Sequence, residues 1–327
     1  MDKKYKCFAL FSGGLDSMLA VVFMRKLGYE VQPIFFETPF FSSKNAVKAA
    51  EHIGFKLLVH DVTTDHLKMM KNPRYGFGKN MNPCIDCHGL MFREAGRLME
   101  EHNVDFLISG EVLGQRPMSQ RKDALNAVGK LSEVKDLLVR PLSQKLITDT
   151  LPIREGWVKK DEMLDIQGRG RHRQMEMAKE YGITEYQNPG GGCLLTDIGY
   201  SRKLKDLIQH DLLDLKYLNF LKVGRHFRLN ENMKMIIGRN NDDNEFLGKL
   251  CTDEIVFQTA DFPGPLGVVQ SRWDLKTEEI EMAASLVLRY NSKIKEQGKV
   301  NYGLNFSLEN QIETVKMKPK DVEKLLI

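Results

Sequence analysis

The sequence predicts an α/β protein: a doubly wound parallel sheet followed by a smaller α+β domain. Three observations carry this. Short apolar runs alternate with helix-length amphipathic stretches as far as Tyr200, the pattern of βαβ units that bind ligands at strand C-terminal ends. A glycine-rich hexapeptide, Ser12-Gly13-Gly14-Leu15-Asp16-Ser17, directly follows the first apolar run. Beyond Tyr200 the alternation gives way to short strands with turn signals. Residues 1–200 and 201–327 are therefore read as two domains, as a length of 327 residues leads one to expect.

Each element has its own signal. Cys7-Phe8-Ala9-Leu10-Phe11 is a buried strand, and Met18 to Leu27 is a helix ended by Gly28. Val31–Phe36 is a second strand, Phe41–Gly54 a helix and Lys56–Val62 a third strand. Asn103–Ser109 gives the fourth and Asp136–Leu142 the fifth. In the second domain a charged amphipathic stretch, Arg202–Leu221, precedes short strands at Lys222–Leu229, Met233–Gly238 and Ile255–Thr259. A helix over Thr277–Asn291 and strands near Val300 and Gln311–Met317 complete it.

Composition narrows the function classes. A 42% hydrophobic content with 28% charged residues reads as globular, and no run of about 18 apolar residues exists to span a membrane. The N-terminus lacks the long apolar region of a secretory signal, so a cytoplasmic protein is expected. Five cysteines, an odd number, do not suggest a disulfide framework. A net charge of +4 is too small to identify a nucleic-acid partner, so any RNA binding must come from local clusters.

The hexapeptide is placed at a helix N-terminus, where free N–H groups and the helix dipole favour an anion. Gly13 and Gly14 let backbone approach a phosphate, and Ser12 and Ser17 add hydroxyl donors. No Gly-Lys-Ser/Thr follows, so this is not the common mononucleotide loop. It resembles the PP-loop of the ATP pyrophosphatases, which split ATP to AMP and pyrophosphate while adenylating a substrate oxygen. The resemblance implies that Ser12, Gly13, Gly14 and Ser17 hold pyrophosphate and that Asp16 positions Mg²⁺ or the reacting groups.

Cysteine spacing offers a second chemistry. In Asn82-Pro83-Cys84-Ile85-Asp86-Cys87-His88 the two thiols share one face of a first helical turn, where the dipole is expected to lower their pKa. Cys193 follows three glycines in Asn188-Pro189-Gly190-Gly191-Gly192-Cys193. Cys84, Cys87 and Cys193 fit a [4Fe–4S] cluster with one open iron or a zinc site completed by His88, and the Cys84–Cys87 pair alone fits a persulfide or disulfide couple. Spacing leaves the three open. Cys7 and Cys251 read as packing residues.

Together with Ser109-Gly110-Glu111-Val112-Leu113-Gly114-Gln115-Arg116, these segments resemble the tRNA 4-thiouridine synthetases and, more loosely, the tRNA 2-thiouridylases. The resemblance implies ATP-dependent thiolation of a tRNA uridine, with 4-thiouridine favoured, a sulfide or persulfide-carrier donor, and Gly110, Glu111 and Gln115 lining the nucleotide or base pocket. Those synthetases carry an RNA-binding region ahead of the loop, where eleven residues stand here. The cysteine pattern looks like the iron–sulfur-dependent branch of tRNA thiolation enzymes, which favours the cluster over the persulfide. The alternatives are tRNA 2-thiouridine synthesis, a small-molecule synthetase or amidotransferase, and a non-catalytic iron–sulfur RNA-binding protein. A homodimer stays open.

Two basic features point to phosphate. Gly168-Arg169-Gly170-Arg171-His172-Arg173 places arginines before a helix, Gln174–Tyr181, whose dipole opposes them; Arg169 and Arg171 are read as contacts to ATP or tRNA backbone. Gly238-Arg239-Asn240-Asn241 followed by Asp261-Phe262-Pro263-Gly264-Pro265 resembles the RNA-binding domain of the NFACT proteins over roughly Lys222–Tyr302. Arg225, His226, Arg228 and Arg239 are expected to contact phosphate, and Asn240 and Asn241 sugar or base edges.

Overall fold

The computed structural model describes residues 3–186, 192–271 and 273–327. It divides into two compact units, Met1–Thr196 and Asp197–Ile327. The first contains β1 (Lys6–Leu10), α1 (Leu15–Lys26), β2 (Glu30–Glu37), α2 (Lys44–His52), β3 (Leu58–Asp61), α3 (Thr63–Lys71) and α4 (Cys84–Leu98). There follow β4 (Phe106–Ser109), α5 (Lys122–Ser132), β5 (Leu138–Val139), α6 (Leu151–Arg154) and α7 (His172–Glu180).

All five strands run parallel in the order β3-β2-β1-β4-β5. Side chains of β1 alternate between two buried faces, as a sheet covered on both sides requires. Cys7 and Ala9 pack with Met18, Leu19 and Ala178 on one face, while Phe8 packs with Phe92, Ala95 and Val128 on the other. The chain winds from β1 outward to β3 and then crosses to β4 on β1's other side. The C-terminal ends of β1 and β4 therefore flank the topological switch point, where such sheets bind ligands. The fifth strand is shorter than its apolar run because Lys135–Leu137 forms a 3₁₀ turn and Pro141, which has no N–H, lies beyond it.

The second unit contains α8 (Ile198–Gln209), α9 (Leu215–Phe220), β6 (Arg225–Asn230), β7 (Met233–Ile237), α10 (Asn241–Leu250) and β8 (Ile255–Thr259). It continues with β9 (Gly267–Ser271), α11 (Thr277–Arg289), β10 (Gln297–Leu304), β11 (Asn310–Val315) and α12 (Pro319–Leu325). Its six strands form an antiparallel sheet in the order β11-β10-β8-β9-β7-β6. Phe257, Val269 and Val300 pack with α11 residues such as Ala283 and Val287, and Ile236, Val256 and Val268 with Phe220 and Leu247. The amphipathic stretch read as one piece is two helices, broken at Asp211 (φ 51°) and restarted by the Asp214 side chain, which accepts from Lys216 N. Gly238–Asn244 opens a helix rather than a free turn, because Asn240 accepts from Asp243 N at 2.8 Å and caps α10. Among the described residues, no helix is long and apolar enough to cross a membrane.

Candidate active site

The hexapeptide lies between β1 and α1, as its residues require. Gly14 precedes the helix and has no side chain to cap the first-turn N–H groups. Gly13 has φ +76°, and a Cβ there would meet Ala46 Cα at 3.0 Å. Ser17 Oγ donates to Gly14 O at 2.8 Å and sits 3.4 Å from Ser12 Oγ, which fixes the loop's own shape.

Asp16 looks out from this loop into a polar relay. Gln115 Nε2 donates to Asp16 Oδ2 at 2.6 Å, and Gln174 Nε2 of α7 donates to Gln115 Oε1 at 3.0 Å. Burial pushes the Asp16 carboxyl above its usual range, against the bond from Gln115 and the charges of Arg171 and Arg116. Asp16 Oδ1, Gln174 Oε1 and Arg171 Nε are all buried without a protein partner. Such atoms call for an external one. A carboxylate oxygen beside two arginines and an uncapped helix start offers groups for both an anion and a cation.

From β4, Gly110 lies against the loop backbone so closely that a Cβ would fall 2.5 Å from Asp16 C and Ser17 N. The next residue, Glu111, is an anchor rather than a pocket-lining group, which corrects the expectation from its motif. Arg140 Nε donates to Glu111 Oε2 at 2.8 Å, Ser109 Oγ donates to the same oxygen at 3.1 Å, and His88 Nδ1 lies 3.0 Å from Oε1. Its carboxyl is held down to about 2: burial opposes ionisation, and the Arg140 and His88 interactions overcome it. Glu111 thus fixes the His88 ring, one residue beyond Cys87, to the strand that backs the loop.

Cys84 and Cys87 occupy the first turn of α4. Asn82 Nδ2 donates to Cys84 Sγ at 3.2 Å, and Cys87 Sγ lies 3.5 Å from His66 Nε2. The expected dipole-lowered thiol is not found at Cys87: burial raises its pKa well above the usual value, and nearby Cys193 and Cys84 raise it further. Desolvation outweighs the dipole there. Cys193 is pushed up to about 11 by burial, with Cys84 contributing. Its segment reaches the pair because Leu194 N donates to Phe40 O at 3.0 Å and Asn80 Nδ2 to Thr196 O at 2.6 Å. Of the preceding motif, Asn188–Gly191 lies outside the described residues.

Three neighbouring thiols, one of them accepting from Asn82 Nδ2, form a donor set of the right softness for iron or zinc. Among the described residues, no group of three His, Cys, Asp or Glu side chains is arranged to hold a metal ion. The thiols are gathered without forming a preassembled site among the described residues, and metal ligation needs thiolates. His66, fully buried between Phe40 and Phe41 and lowered to about 4 by desolvation, has no motif around it and was invisible in sequence. Gln174 and Arg140 were equally hidden. Cys7 and Cys251 are buried, as packing residues.

The basic residues separate. Arg169 is exposed and Arg173 is paired with Asp165, whereas Arg171 acts on Asp16. In the second unit His226 is 1% exposed with Nε2 2.9 Å from Val223 O, and Arg228 donates from Nε and Nη2 to Asp206 at 2.9 and 2.6 Å. Their expected phosphate contacts are corrected to interior roles: the alternating strand β6 turns both inward, where Asp206 also takes the fully buried Lys234 at 2.8 Å. Arg225 lies over the Tyr290 ring at 4.8 Å, Arg239 is half exposed while paired with Asp243, and Asn241 is exposed. Asn240 is the α10 cap described above.

Comparison with known proteins divides along the same line. Residues 3–145 match the family model described as Thiamine biosynthesis protein (ThiI), and residues 224–326 that of the NFACT protein RNA binding domain. The first unit resembles the ThiI family. A tRNA-specific 2-thiouridylase MnmA of Sulfurimonas denitrificans is 30% identical over 31% of this chain and 33% of its own length. A "Probable tRNA sulfurtransferase" of Thermococcus kodakarensis is 28% identical over 42% of this chain and 36% of its own, and one of Methanosarcina mazei 31% identical over 34% and 29%. The match spans about one third of the length of these relatives. The ThiI family match covers the loop, Gln115 and the Cys84–Cys87 pair.

Proposed function

We propose that the chain is an ATP-dependent tRNA uridine sulfurtransferase, adenylating a uridine carbonyl oxygen and then replacing it with sulfur, with 4-thiouridine as the favoured product. One observation carries the reading: Gly110 packs on the PP-loop, and Glu111 beside it is hydrogen-bonded to His88, next to Cys87. This link supports a reading in which phosphate and sulfur chemistry meet at the ends of β1 and β4. Similarity to tRNA sulfurtransferases and to an RNA-binding domain supports the same substrate.

In this reading the loop and the α1 N-terminus would hold the pyrophosphate portion of ATP, and Asp16 would hold Mg²⁺, which supplies charge neutralisation when bound. The uridine oxygen attacks the α-phosphorus and pyrophosphate leaves. A sulfur nucleophile then attacks the adenylated carbon, and AMP departs as a far better leaving group than the original oxygen. Cys84, Cys87 and Cys193 would hold a [4Fe–4S] cluster, which supplies sulfide when bound. Ligation would require Cys87 and Cys193, whose thiols burial raises, to give up their protons. Anaerobically purified protein with unmodified tRNA, ATP, Mg²⁺ and sulfide is expected to yield a thiolated nucleoside by mass spectrometry. Its broad visible iron–sulfur absorption should vanish in Cys84→Ala. No thiolated product from protein with that absorption and a cognate tRNA would refute the proposal.

Arg171 is assigned to ATP rather than to tRNA, because its charge acts on Asp16 and its Nε is buried without a partner. Arg171→Ala is expected to slow ATP–pyrophosphate exchange about 100-fold, the usual scale for losing one preorganised donor to developing charge. Arg171→Lys should recover part of the rate, and tRNA affinity at low salt should not change. Weakened tRNA binding with normal exchange would return Arg171 to the RNA.

A further inference from the structure

The second unit holds an apolar ring in water on a turn braced from below. Thr259 Oγ1 donates to Phe262 O at 2.5 Å, and Asn291, 3% exposed, donates from Nδ2 to Thr259 Oγ1 at 3.0 Å. The same Nδ2 reaches Phe262 O and Pro263 O at 3.5 and 3.4 Å, and Asn244 Nδ2 donates to Gly264 O at 3.4 Å. Asn244 of α10 and Asn291, just beyond the end of α11, thus fix one turn, and Pro263 and Pro265 stiffen it further. Yet the residue at its tip, Phe262, is 43% exposed. Its side chain does not serve the core, and a rigid aromatic loses little entropy when it meets a ligand.

The surroundings say what that ligand is. Asn291 Oδ1 accepts from Lys293 N at 3.0 Å, and Ala260 N donates to Lys299 O at 2.9 Å, so both lysines flank the turn. Lys293, Lys295 and Lys299 are exposed and, among the described residues, none is in an ion pair. The acidic side chains of these segments, Asp261 and Glu296, are fewer. Asn244 belongs to α10, and Arg239, just before that helix, pairs with Asp243 in its first turn, so the two sequence motifs converge on one surface.

We infer that Phe262 is a stacking platform for an unpaired base of the RNA, with Lys293 and Lys299 contacting the adjoining phosphates. Aromatic side chains recognise single-stranded RNA in this way because every base offers a π-face, while lysines follow the backbone. The inference rests on the tRNA reading above and names the contact that this unit makes. It places recognition at an unstacked nucleotide, since a paired base has no free face for Phe262.

The test is binding of the full chain to an unmodified tRNA transcript and to a short single-stranded RNA, followed by fluorescence anisotropy over a salt series. Phe262→Ala is expected to raise Kd about 10-fold on both RNAs with an unchanged salt slope, and Phe262→Trp to restore affinity. Lys299→Gln should reduce the slope by about one. Circular dichroism and thermal midpoints matching wild type show that the variants are folded. Wild-type affinity in Phe262→Ala overturns the stacking role while leaving the tRNA reading intact. Failure of the wild-type chain to bind either RNA at low salt overturns the tRNA reading, and the inference with it.

Discussion

Gly110→Ala is expected to abolish ATP–pyrophosphate exchange and to lower the thermal midpoint of the first unit by about 10 °C. The added methyl would stand 2.5 Å from Asp16 C, Asp16 O and Ser17 N. All three are backbone atoms at the start of α1, so no side-chain rotation relieves the clash. Either the loop or the end of β4 must move. Overpacking of this kind costs about 3 kcal/mol. The shift also displaces the Asp16 carboxylate from Gln115 Nε2, now 2.6 Å away. Exchange assays and scanning calorimetry check the two effects separately. Normal exchange at an unchanged midpoint would show that β4 does not support the loop in this way.

The second large effect belongs to Arg140. Arg140→Met is expected to destabilise the first unit by about 4 kcal/mol, the scale for leaving a buried partner charge unpaired. Glu111 is 4% exposed and Arg140 7%, so water cannot take the place of the lost guanidinium. Glu111→Gln in the same chain should recover much of the loss by removing the stranded charge, which chemical denaturation of both variants can measure. The wild-type protein carries the same dependence on pH. Because the folded-state pKa of Glu111 is about 2 against a usual 4.5, its contribution is complete above pH 4.5 and is lost as pH falls toward 2. That depression corresponds to about 3 kcal/mol. A midpoint in denaturant that does not fall between pH 5 and pH 2.5, or that falls equally in Glu111→Gln, would remove Glu111 from this role. The consequence is functional too, since Glu111 ties His88 and the cysteine turn to the strand behind the loop.

How much could be read before folding depends on the range of each signal. The glycine-rich loop between β1 and α1 was legible because its signal is local: two glycines, two hydroxyls and a carboxylate in six residues between a strand and a helix. The alternating strands and helices were legible for the same reason, since each burial pattern is written within one element. The shift at Tyr200 to short strands with turns likewise announced a second unit, and Asp-Phe-Pro-Gly-Pro marked a turn. Even so, the motif did not reveal that Phe262 stays in water, because that depends on Asn291 and Asn244 holding the turn from elsewhere in the chain.

What only the tertiary structure decided are the partnerships. Glu111 sits in a motif that suggests a pocket, yet Arg140, twenty-nine residues on, claims its carboxylate. Arg228 and His226 looked basic and available, but the direction in which β6 turns each side chain puts them inside with Asp206. Arg171 and Gln174 reach Asp16 from the far end of the first unit, and His66 meets Cys87 across a turn that no spacing rule describes. The thiols make the same point: a helix start predicts a lowered pKa, and burial reverses it at Cys87. Sequence determined which chemical groups this protein carries and on which elements they stand. Tertiary structure decided which of them face each other and which face water, because burial and charge pairing act through space and leave no periodicity along the chain.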